Sequence, residues 1–255
     1  MKNTLHNKTI VISGGTKGLG KALVKECVRL GANVVIGGRD EGAGLDLTKW
    51  AKGMQGKVHF VNSDLRKVSN CKKLFDEAIH YFNQVDGFVN YAGITSKSSL
   101  TECDEFVFDN LFDVNVKATF FCTQQATRHM LTSGGGSIVL VSSAHAWRGE
   151  KNRAAYAITK GALLTLSQHI AKNYASNHIR CNVVTMGWTP TEGELSLRQQ
   201  EGLTEKNLKE KASKILPMGR MLTPEDHLSA FIYFLSEDSA MVTGSNILVT
   251  AGEFI

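Results

Sequence analysis

A tyrosine and a lysine four residues apart, with a serine thirteen residues before the tyrosine, are the residues of this chain best suited to chemistry. They are Tyr156, Lys160 and Ser143. A tyrosine hydroxyl titrates near pH ~10, so it is a poor acid or base at neutral pH unless a nearby cation stabilises the phenolate. Residues four apart on a helix share one face. The spacing therefore predicts a site that moves a proton to or from an oxygen.

The elements that would position these residues can be read from the hydrophobic pattern. A Tyr-Lys pair alone also occurs on solvated helices that have no function, so the rest of the chain must decide. Seven short apolar runs alternate with longer segments of helical period, which is typical of parallel strands covered on both faces by crossover helices. The runs are Thr9–Ile12, Asn33–Ile36, Val58–Val61, Gly87–Val89, Ser137–Val141, Cys181–Val184 and Ile247–Val249. They predict one α/β domain over residues 1–255, a Rossmann-type doubly wound seven-stranded parallel sheet with helices on both faces.

Local signals mark several helix ends. Gly31 is suited to a left-handed cap after the first helix, and Thr223 followed by Pro224 is typical of a helix start. The glycines at 134–136 predict a turn into the fifth strand. A helix between residues 40 and 56 is weakly indicated, because glycines interrupt it.

Composition excludes several classes of protein. With 42% hydrophobic and 21% charged residues, the chain is ordinary for a globular protein. No apolar run approaches the 18 or so residues of a membrane span, and the polar start leaves no room for a signal peptide. The five scattered cysteines disfavour a disulfide framework and a zinc site, and the dispersed net charge of +5 disfavours nucleic-acid binding. We expect a cytoplasmic protein without metal, membrane or nucleic-acid partners.

A glycine-rich turn follows the first predicted strand. It spans residues 13–20 and reads Ser-Gly-Gly-Thr-Lys-Gly-Leu-Gly, a G-x-x-x-G-x-G spacing rather than the common G-x-G-x-x-G. Glycines let the backbone approach a pyrophosphate, and the free amides of the following helix attract it. The turn predicts a dinucleotide phosphate site, with a ligand-free strand-to-helix turn as the alternative.

This turn and other motifs along the whole chain resemble the short-chain dehydrogenases/reductases, in their compact single-domain class. Ser13 stands where the family has threonine before the first glycine, which keeps the hydroxyl. Residues 90–93 resemble the family's Asn-Asn-Ala-Gly, with Tyr91 as a departure. Residues 182–191 resemble Asn-x-x-x-Pro-Gly-x-x-x-Thr, with Met186 in place of the proline.

The resemblance implies a role for each catalytic residue. Tyr156 would be the general acid/base, and Lys160 the cation that lowers its pKa and holds the nicotinamide ribose. Ser143 would bind the substrate oxygen, and Asn115 would support a water and lysine proton relay. This agrees with the chemistry, since hydride transfer creates or consumes an alkoxide that needs a hydrogen-bond donor and a proton source. The implied cofactor contacts are Gly14, Thr16, Lys17, Gly18, Leu19, Gly20, Arg39, Asp64, Leu65, Asn90, Ala92, Gly93, Tyr156, Lys160, Gly187, Thr189 and Thr191.

The end of the second strand bears on which nicotinamide cofactor is used. NAD-using relatives have an acidic residue where this chain has Gly38, and a carboxylate there would repel a 2′-phosphate. Arg39 and Lys17 resemble the family's two basic positions for NADP, and a guanidinium suits a phosphate. We therefore expect NADP(H). NAD(H) is the alternative, because Asp40 is close by.

The substrate is the least specified part of the prediction. The resemblance implies a small carbonyl or secondary alcohol, and the residues near the pocket suggest a hydroxylated or acidic one. These residues are His145, Trp147, Arg148, Arg153 and Trp188. The alternative is that they pack against the loop itself or form subunit contacts. Residues 187–216 are expected to form a helical lid, with Leu203 and Thr204 as staple and cap.

Two alternative functions are left open, and the family resemblance also bears on the oligomeric state. One alternative is an NAD-dependent dehydrogenase of a polyol or sugar acid, and the other is a non-catalytic dinucleotide-binding regulator. The resemblance further implies a homo-oligomer, usually a tetramer built on helices near residues 106–130 and 152–174.

Overall fold

Seven parallel strands form one sheet in the computed structural model, which describes residues 4–190 and 204–253. Each of the predicted apolar runs lies in one of them. They are β1 (Thr9–Ser13), β2 (Asn33–Gly38), β3 (Val58–Asn62), β4 (Gly87–Asn90), β5 (Gly136–Ser143), β6 (Ile179–Met186) and β7 (Asn246–Val249). The order across the sheet is β3-β2-β1-β4-β5-β6-β7. The order changes direction between β1 and β4, and such a switch point opens a crevice at the carboxyl ends of the strands.

Helices cover both faces of the sheet and connect the strands. They are α1 (Gly18–Arg29), α2 (Glu41–Trp50), α3 (Val68–Phe82), α4 (Glu105–Phe112), α5 (Ala118–Ser133), α6 (Ala154–Tyr174), α7 (Glu205–Ile215) and α8 (Pro224–Leu235). A π-helical turn, Asp113–Lys117, joins α4 to α5, and a 3₁₀ turn, Ala144–Ala146, follows β5. The predicted fold class, a single-domain doubly wound α/β sheet, is confirmed.

Two apolar cores lie on opposite faces of the sheet, because successive strand residues point in opposite directions. Ile10 and Ile12 of β1 pack with Leu23 of α1 and residues of α8. Val11, between them, faces the other core with Phe75 of α3 and residues of α5 and α6. A strand buried on both faces is apolar at most positions, which is why the runs could be recognised in the sequence.

The weakly indicated helix forms as α2, and one of its glycines has a packing role. A Cβ at Gly44 would lie 2.2 Å from the Phe60 ring of β3, so only glycine lets α2 approach the sheet this closely. Asp40 caps the helix by accepting a hydrogen bond from the Ala43 amide at 3.1 Å. The helix ends before Gly53, which has a φ of +81°.

The other predicted helix signals are also present. Gly31 follows α1 with a φ of +88°, and Gly134 ends α5 with a φ of +92°. Thr223 begins α8, where its amide donates to the Asp226 carboxylate at 2.7 Å. Thr204 caps α7 as predicted, whereas Leu203 and the rest of residues 191–203 lie outside the described residues.

Candidate functional site

A cleft of about 1670 Å³ runs along the carboxyl ends of the strands. Most of the predicted site residues line it. They are Gly14, Thr16, Lys17, Gly18, Arg39, Asp64, Leu65, Ala92, Gly93, Ser143, Tyr156, Lys160, Gly187 and Thr189. Four others are buried and do not line the cleft, namely Leu19, Gly20, Asn90 and Asn115. Thr191 lies outside the described residues.

The glycine turn after β1 has the shape of a phosphate cradle. Gly14 has a φ of +76°, and a Cβ there would lie 2.8 Å from the Ala92 backbone. A Cβ at Gly20 would lie 2.4 Å from the Gly14 carbonyl oxygen, whereas one at Gly18 would meet only open space. Lys17 precedes α1 without a side-chain cap, and the first turn of α1 holds no acidic residue. Uncapped amides at a helix start attract anions, so this end of the cleft fits a pyrophosphate.

Two basic residues lie beside this turn, and their surroundings differ. Lys17 is 2.8 Å from an Asp40 carboxylate oxygen, and this hydrogen bond holds the pKa of Asp40 below its ordinary value. Arg39 lines the cleft and forms no ion pair within the described part of the chain. Arg39 is therefore the better placed of the two to receive an additional phosphate.

Asp64, a predicted cofactor contact, has its carboxylate held by Arg66. Arg66 contacts both oxygens of its carboxylate, with the closest approach at 2.6 Å. This pairing lowers the pKa of Asp64. The carboxylate is therefore ionised and held in one orientation in the cleft wall.

Tyr156 and Lys160 lie one turn apart on α6, as their spacing predicts. The Lys160 Nζ is 5.9 Å from the centroid of the Tyr156 ring and donates to the Val141 carbonyl at 2.9 Å. The lysine side chain is buried, which lowers its pKa to about 8. A cation held at this depth beside a phenol stabilises the phenolate form of that phenol.

Ser143 ends β5 and faces the same part of the cleft. Its Oγ accepts a hydrogen bond from the His145 amide at 3.3 Å. This contact uses a lone pair of the oxygen and leaves the hydroxyl hydrogen to be donated to a substrate oxygen. The His145 ring meets the edge of the Tyr156 ring with centroids 5.8 Å apart, and burial lowers the pKa of that imidazole.

Asn115 lies in the π-helical turn, and its side chain fixes the loop after β4. Its Oδ1 accepts from the Ile94 amide at 2.8 Å, and its Nδ2 donates to the Ile94 carbonyl at 2.9 Å. The same Nδ2 donates to the Thr159 hydroxyl at 3.0 Å, which in turn donates to the Tyr156 backbone carbonyl at 2.7 Å. The amide group of Asn115 thus contacts α6, the helix that carries Tyr156 and Lys160.

A hydrogen-bond chain joins the glycine turn after β1 to α6. It is formed by Ser13, Asn90, Thr119, Asn115 and Thr159. The Ser13 hydroxyl accepts from the Ala92 amide at 3.2 Å and donates to Asn90 Oδ1 at 3.0 Å. Asn90 Nδ2 donates to the Thr119 hydroxyl at 2.8 Å, and that hydroxyl donates to the Asn115 carbonyl at 2.7 Å. Because these polar groups are buried, each bond replaces one that water would otherwise supply.

The sequence interpretation missed a buried histidine beside the loop that follows β6. His227 of α8 is fully buried, and its Nε2 lies 2.7 Å from the hydroxyl of Thr189, a predicted cofactor contact. Thr189 also donates to the Gly187 carbonyl at 3.2 Å, so His227 is assigned as the donor to Thr189. Burial lowers the pKa of His227 to about 4. A histidine in register with Ala230, Phe231 and Phe234 on an apolar helix face was the available signal.

We expect acidification to destabilise the protein through His227. Its folded-state pKa lies below its unfolded value near 6.5, so the unfolded chain binds the proton more tightly. Stability should therefore fall by about 3 kcal/mol as the pH drops from about 6.5 to about 4. Urea unfolding at both pH values tests this, with His227→Gln expected to lose much of the dependence and the exposed His169→Gln to retain it. An unchanged dependence in His227→Gln would contradict the assignment.

The substrate end of the cleft differs in part from the prediction. His145, Arg148, Arg153 and Trp188 line it, but Trp147 is 59% exposed and does not. Trp147 points away because the backbone leaves the strand in a tight 3₁₀ turn after Ser143. Trp188 packs beside a small apolar cluster of α7 and the carboxyl-terminal turn. Lys211 and Ile215 bring α7 to the cleft edge, and Glu253, which no sequence signal indicated, also lines it.

Comparison with known proteins finds relatives that are described as dehydrogenases or reductases. A family model described as enoyl-(acyl carrier protein) reductase matches residues 14–253. L-rhamnose 1-dehydrogenase (NAD(P)(+)) of Azotobacter vinelandii is 32% identical, covering 98% of both chains. A 3-oxoacyl-[acyl-carrier-protein] reductase of Chlamydia pneumoniae is 28% identical, covering 99% of both. A short-chain type dehydrogenase/reductase from Mycobacterium ulcerans shares the fold, with a TM-score of 0.90 at 24% identity over 98% of this chain and 90% of that one.

Proposed function

We propose that this chain, which belongs to the short-chain dehydrogenase/reductase family of oxidoreductases, interconverts a carbonyl and a secondary alcohol with NADP(H) as the hydride carrier. One observation carries the proposal. Tyr156, Lys160 and Ser143 line one end of a cleft whose other end is the glycine turn beside Arg39. A proton-transfer group and a phosphate site in one cleft suit a hydride transfer that uses a dinucleotide.

The chain's own residues would act on the substrate oxygen. The Ser143 hydroxyl donates a hydrogen bond to that oxygen and orients it. The Tyr156 hydroxyl gives its proton to the oxygen in reduction and takes it back in oxidation, while the buried Lys160 ammonium stabilises the phenolate. Asn115 fixes the loop after β4 and the start of α6, so its role is to position these groups. The nicotinamide, when bound, supplies or accepts the hydride.

The preference for NADP(H) rests on the end of β2. Gly38 leaves this position without a carboxylate, and Arg39 forms no ion pair within the described residues. A guanidinium can bind a 2′-phosphate through two parallel hydrogen bonds. A second candidate is an NAD-dependent dehydrogenase of a polyol or sugar acid. It is favoured by the Lys17–Asp40 pair, which puts one carboxylate near the ribose site.

We also propose a cytoplasmic homo-oligomer, a tetramer by analogy with the family. Large apolar side chains are exposed on α4, α5 and α6, including Phe106 at 79%, Phe120 at 48% and Ile158 at 55%, which favours subunit contacts there. All five cysteines are free, in keeping with a reducing compartment. No described helix is long and apolar enough to cross a membrane. Within residues 4–190 and 204–253, no cluster of metal-ligating side chains occurs.

The experiment that tests the function is a panel of substrates in which turnover is monitored by the absorbance of the reduced cofactor. The panel spans sugars, polyols, keto acids, 3-oxoacyl thioesters and apolar ketones, each run with NADPH or NADH, and in reverse with NADP⁺ or NAD⁺. We expect turnover of at least one class, with kcat/KM at least about tenfold higher for NADPH than for NADH. Turnover of none, with the cofactor still bound, would instead favour a non-catalytic regulator.

A further inference from the structure

One carboxylate oxygen at the substrate end of the cleft has no hydrogen-bond partner. The Glu253 side chain is only 9% exposed and lines the cleft together with Ser143 and Tyr156. Its Oε1 is paired with the guanidinium of Arg148. Its Oε2 is buried and accepts no hydrogen bond from any described residue. Buried polar atoms in folded proteins nearly always form a hydrogen bond, so a donor to Glu253 Oε2 is expected.

The backbone holds Glu253 in this position. Ala251 and Gly252 have φ values of +53° and +80°, and the Glu253 amide donates to the Thr250 carbonyl at 3.0 Å. The turn also touches the loop after β6, since a Cβ at Gly187 would lie 2.6 Å from the Thr250 Cα. Glu253 is therefore part of the cleft wall and is tied to the loop that carries Gly187.

Two nearby polar side chains do not supply this donor. The His145 Nδ1 lies 3.0 Å from a Glu150 carboxylate oxygen and forms no hydrogen bond with Glu253. The Arg153 guanidinium donates to the Thr95 hydroxyl at 2.8 Å. A molecule bound in the cleft can therefore supply the donor that Oε2 lacks.

The chemistry of that molecule is restricted. An ionised carboxylate only accepts hydrogen bonds, so the ligand must donate one. An ionised ligand carboxylate has no proton to donate to Oε2 and would be repelled by it. An apolar acyl chain would leave Oε2 buried without a partner. An ammonium could donate but would face Arg153 and Lys211, which line the same cleft. Of these groups and a neutral hydroxyl, the hydroxyl suits Oε2 best.

We propose that Glu253 is a specificity-determining residue that accepts a hydrogen bond from a hydroxyl of a neutral polyhydroxylated substrate, a sugar or polyol. This inference rests on the proposed function, because it assigns a substrate class to the same cleft. It narrows the sequence expectation, which left hydroxylated and acidic substrates open. In this proposal Arg148 holds the Glu253 carboxylate in place and does not bind an anionic substrate.

The test compares wild type with Glu253→Gln and Glu253→Ala on matched substrates. Each aldose or polyol is paired with the sugar acid of the same carbon skeleton and with a mono-hydroxy alcohol. We expect wild type to prefer the neutral sugar over its acid, and Glu253→Ala to lower kcat/KM for the sugar about tenfold or more, largely through KM. In Glu253→Ala, kcat/KM for the mono-hydroxy alcohol should be unchanged. The kcat/KM for the sugar acid should rise, because the Arg148 guanidinium loses its ion pair with Glu253 and can bind the acid. Glu77→Ala, which removes a glutamate that contacts His59 and does not line the cleft, should behave as wild type.

A binding measurement separates this inference from the proposed function. Calorimetry with the same sugars and acids is done on Tyr156→Phe protein saturated with NADP⁺, with and without Glu253→Ala, and thermal melts check folding. Sugar binding that depends on Glu253, without turnover by wild type, would sustain the subsite and reject the proposed reaction. Turnover of apolar ketones or sugar acids in preference to neutral sugars would reject the subsite and leave the reaction intact. An equal loss on all substrates in Glu253→Ala would also reject it.

Discussion

Replacing Tyr156 with phenylalanine should lower kcat by roughly 10³-fold, while the variant still folds and binds the cofactor. The ring, which meets the edge of the His145 ring, is retained in the variant. Only the hydroxyl is lost, and a positioned general acid or base contributes about 10²–10⁴-fold to a rate. Steady-state kinetics with the best substrate of the panel, together with NADPH titration by fluorescence, measures both quantities.

The matched control for this experiment is Tyr174→Phe, which removes a hydroxyl from the far end of the same helix. Tyr174 packs partly against the apolar core and does not line the cleft. Its turnover should equal that of wild type. Full turnover by Tyr156→Phe would reject Tyr156 as the proton donor, and loss of NADPH binding would indicate a role in holding the cofactor.

Replacing Arg39 with alanine should lower kcat/KM for NADPH by about 10- to 100-fold, because a charge-assisted contact to a phosphate contributes about 1.5–3 kcal/mol. Its effect with NADH should be less than about threefold, since no 2′-phosphate is present. Lys17→Ala should have the smaller effect of the two, because Lys17 is already paired with Asp40. Lys52→Gln, an exposed charge in the turn after α2, is the control.

Two results would contradict the proposed cofactor preference. One is a wild-type enzyme that uses NADH as well as or better than NADPH. The other is an Arg39→Ala variant that loses the same factor with both cofactors, which would indicate that Arg39 supports the turn instead of reading the 2′-phosphate.

The inner strands of the sheet could be predicted because they are buried on both faces. Val34, Val35 and Ile36 leave no polar position, so a run of this kind stands out against amphipathic helices. The parallel direction of the strands follows from their alternation with helices, whereas their order in the sheet was not predicted. The helix α2 was only weakly indicated, because helix propensity penalises Gly44, whereas the structure uses that glycine for contact with Phe60.

The site was predictable to the extent that local spacing fixes it. Tyr156 and Lys160 share a helix face by their spacing alone, and the glycine turn follows β1 directly. Contacts made across the fold could not be read in this way. His227 meets Thr189, and Glu253 meets Arg148, through tertiary packing of segments remote in sequence. Trp147 was expected in the pocket, but the 3₁₀ turn directs it to the surface.

The hydrogen-bond chain between the glycine turn and α6 has a consequence for when the proposed active site forms during folding. Its links join Ser13 to Asn90 across 77 residues, Asn90 to Thr119 across 29, and Asn115 to Thr159 across 44. Contacts between distant segments cost the most loop entropy and form late in folding. The active site should therefore be among the last parts to become native. A nascent chain that ends before α6 would contain the glycine turn but would lack Tyr156 and Lys160, and we expect it to be inactive.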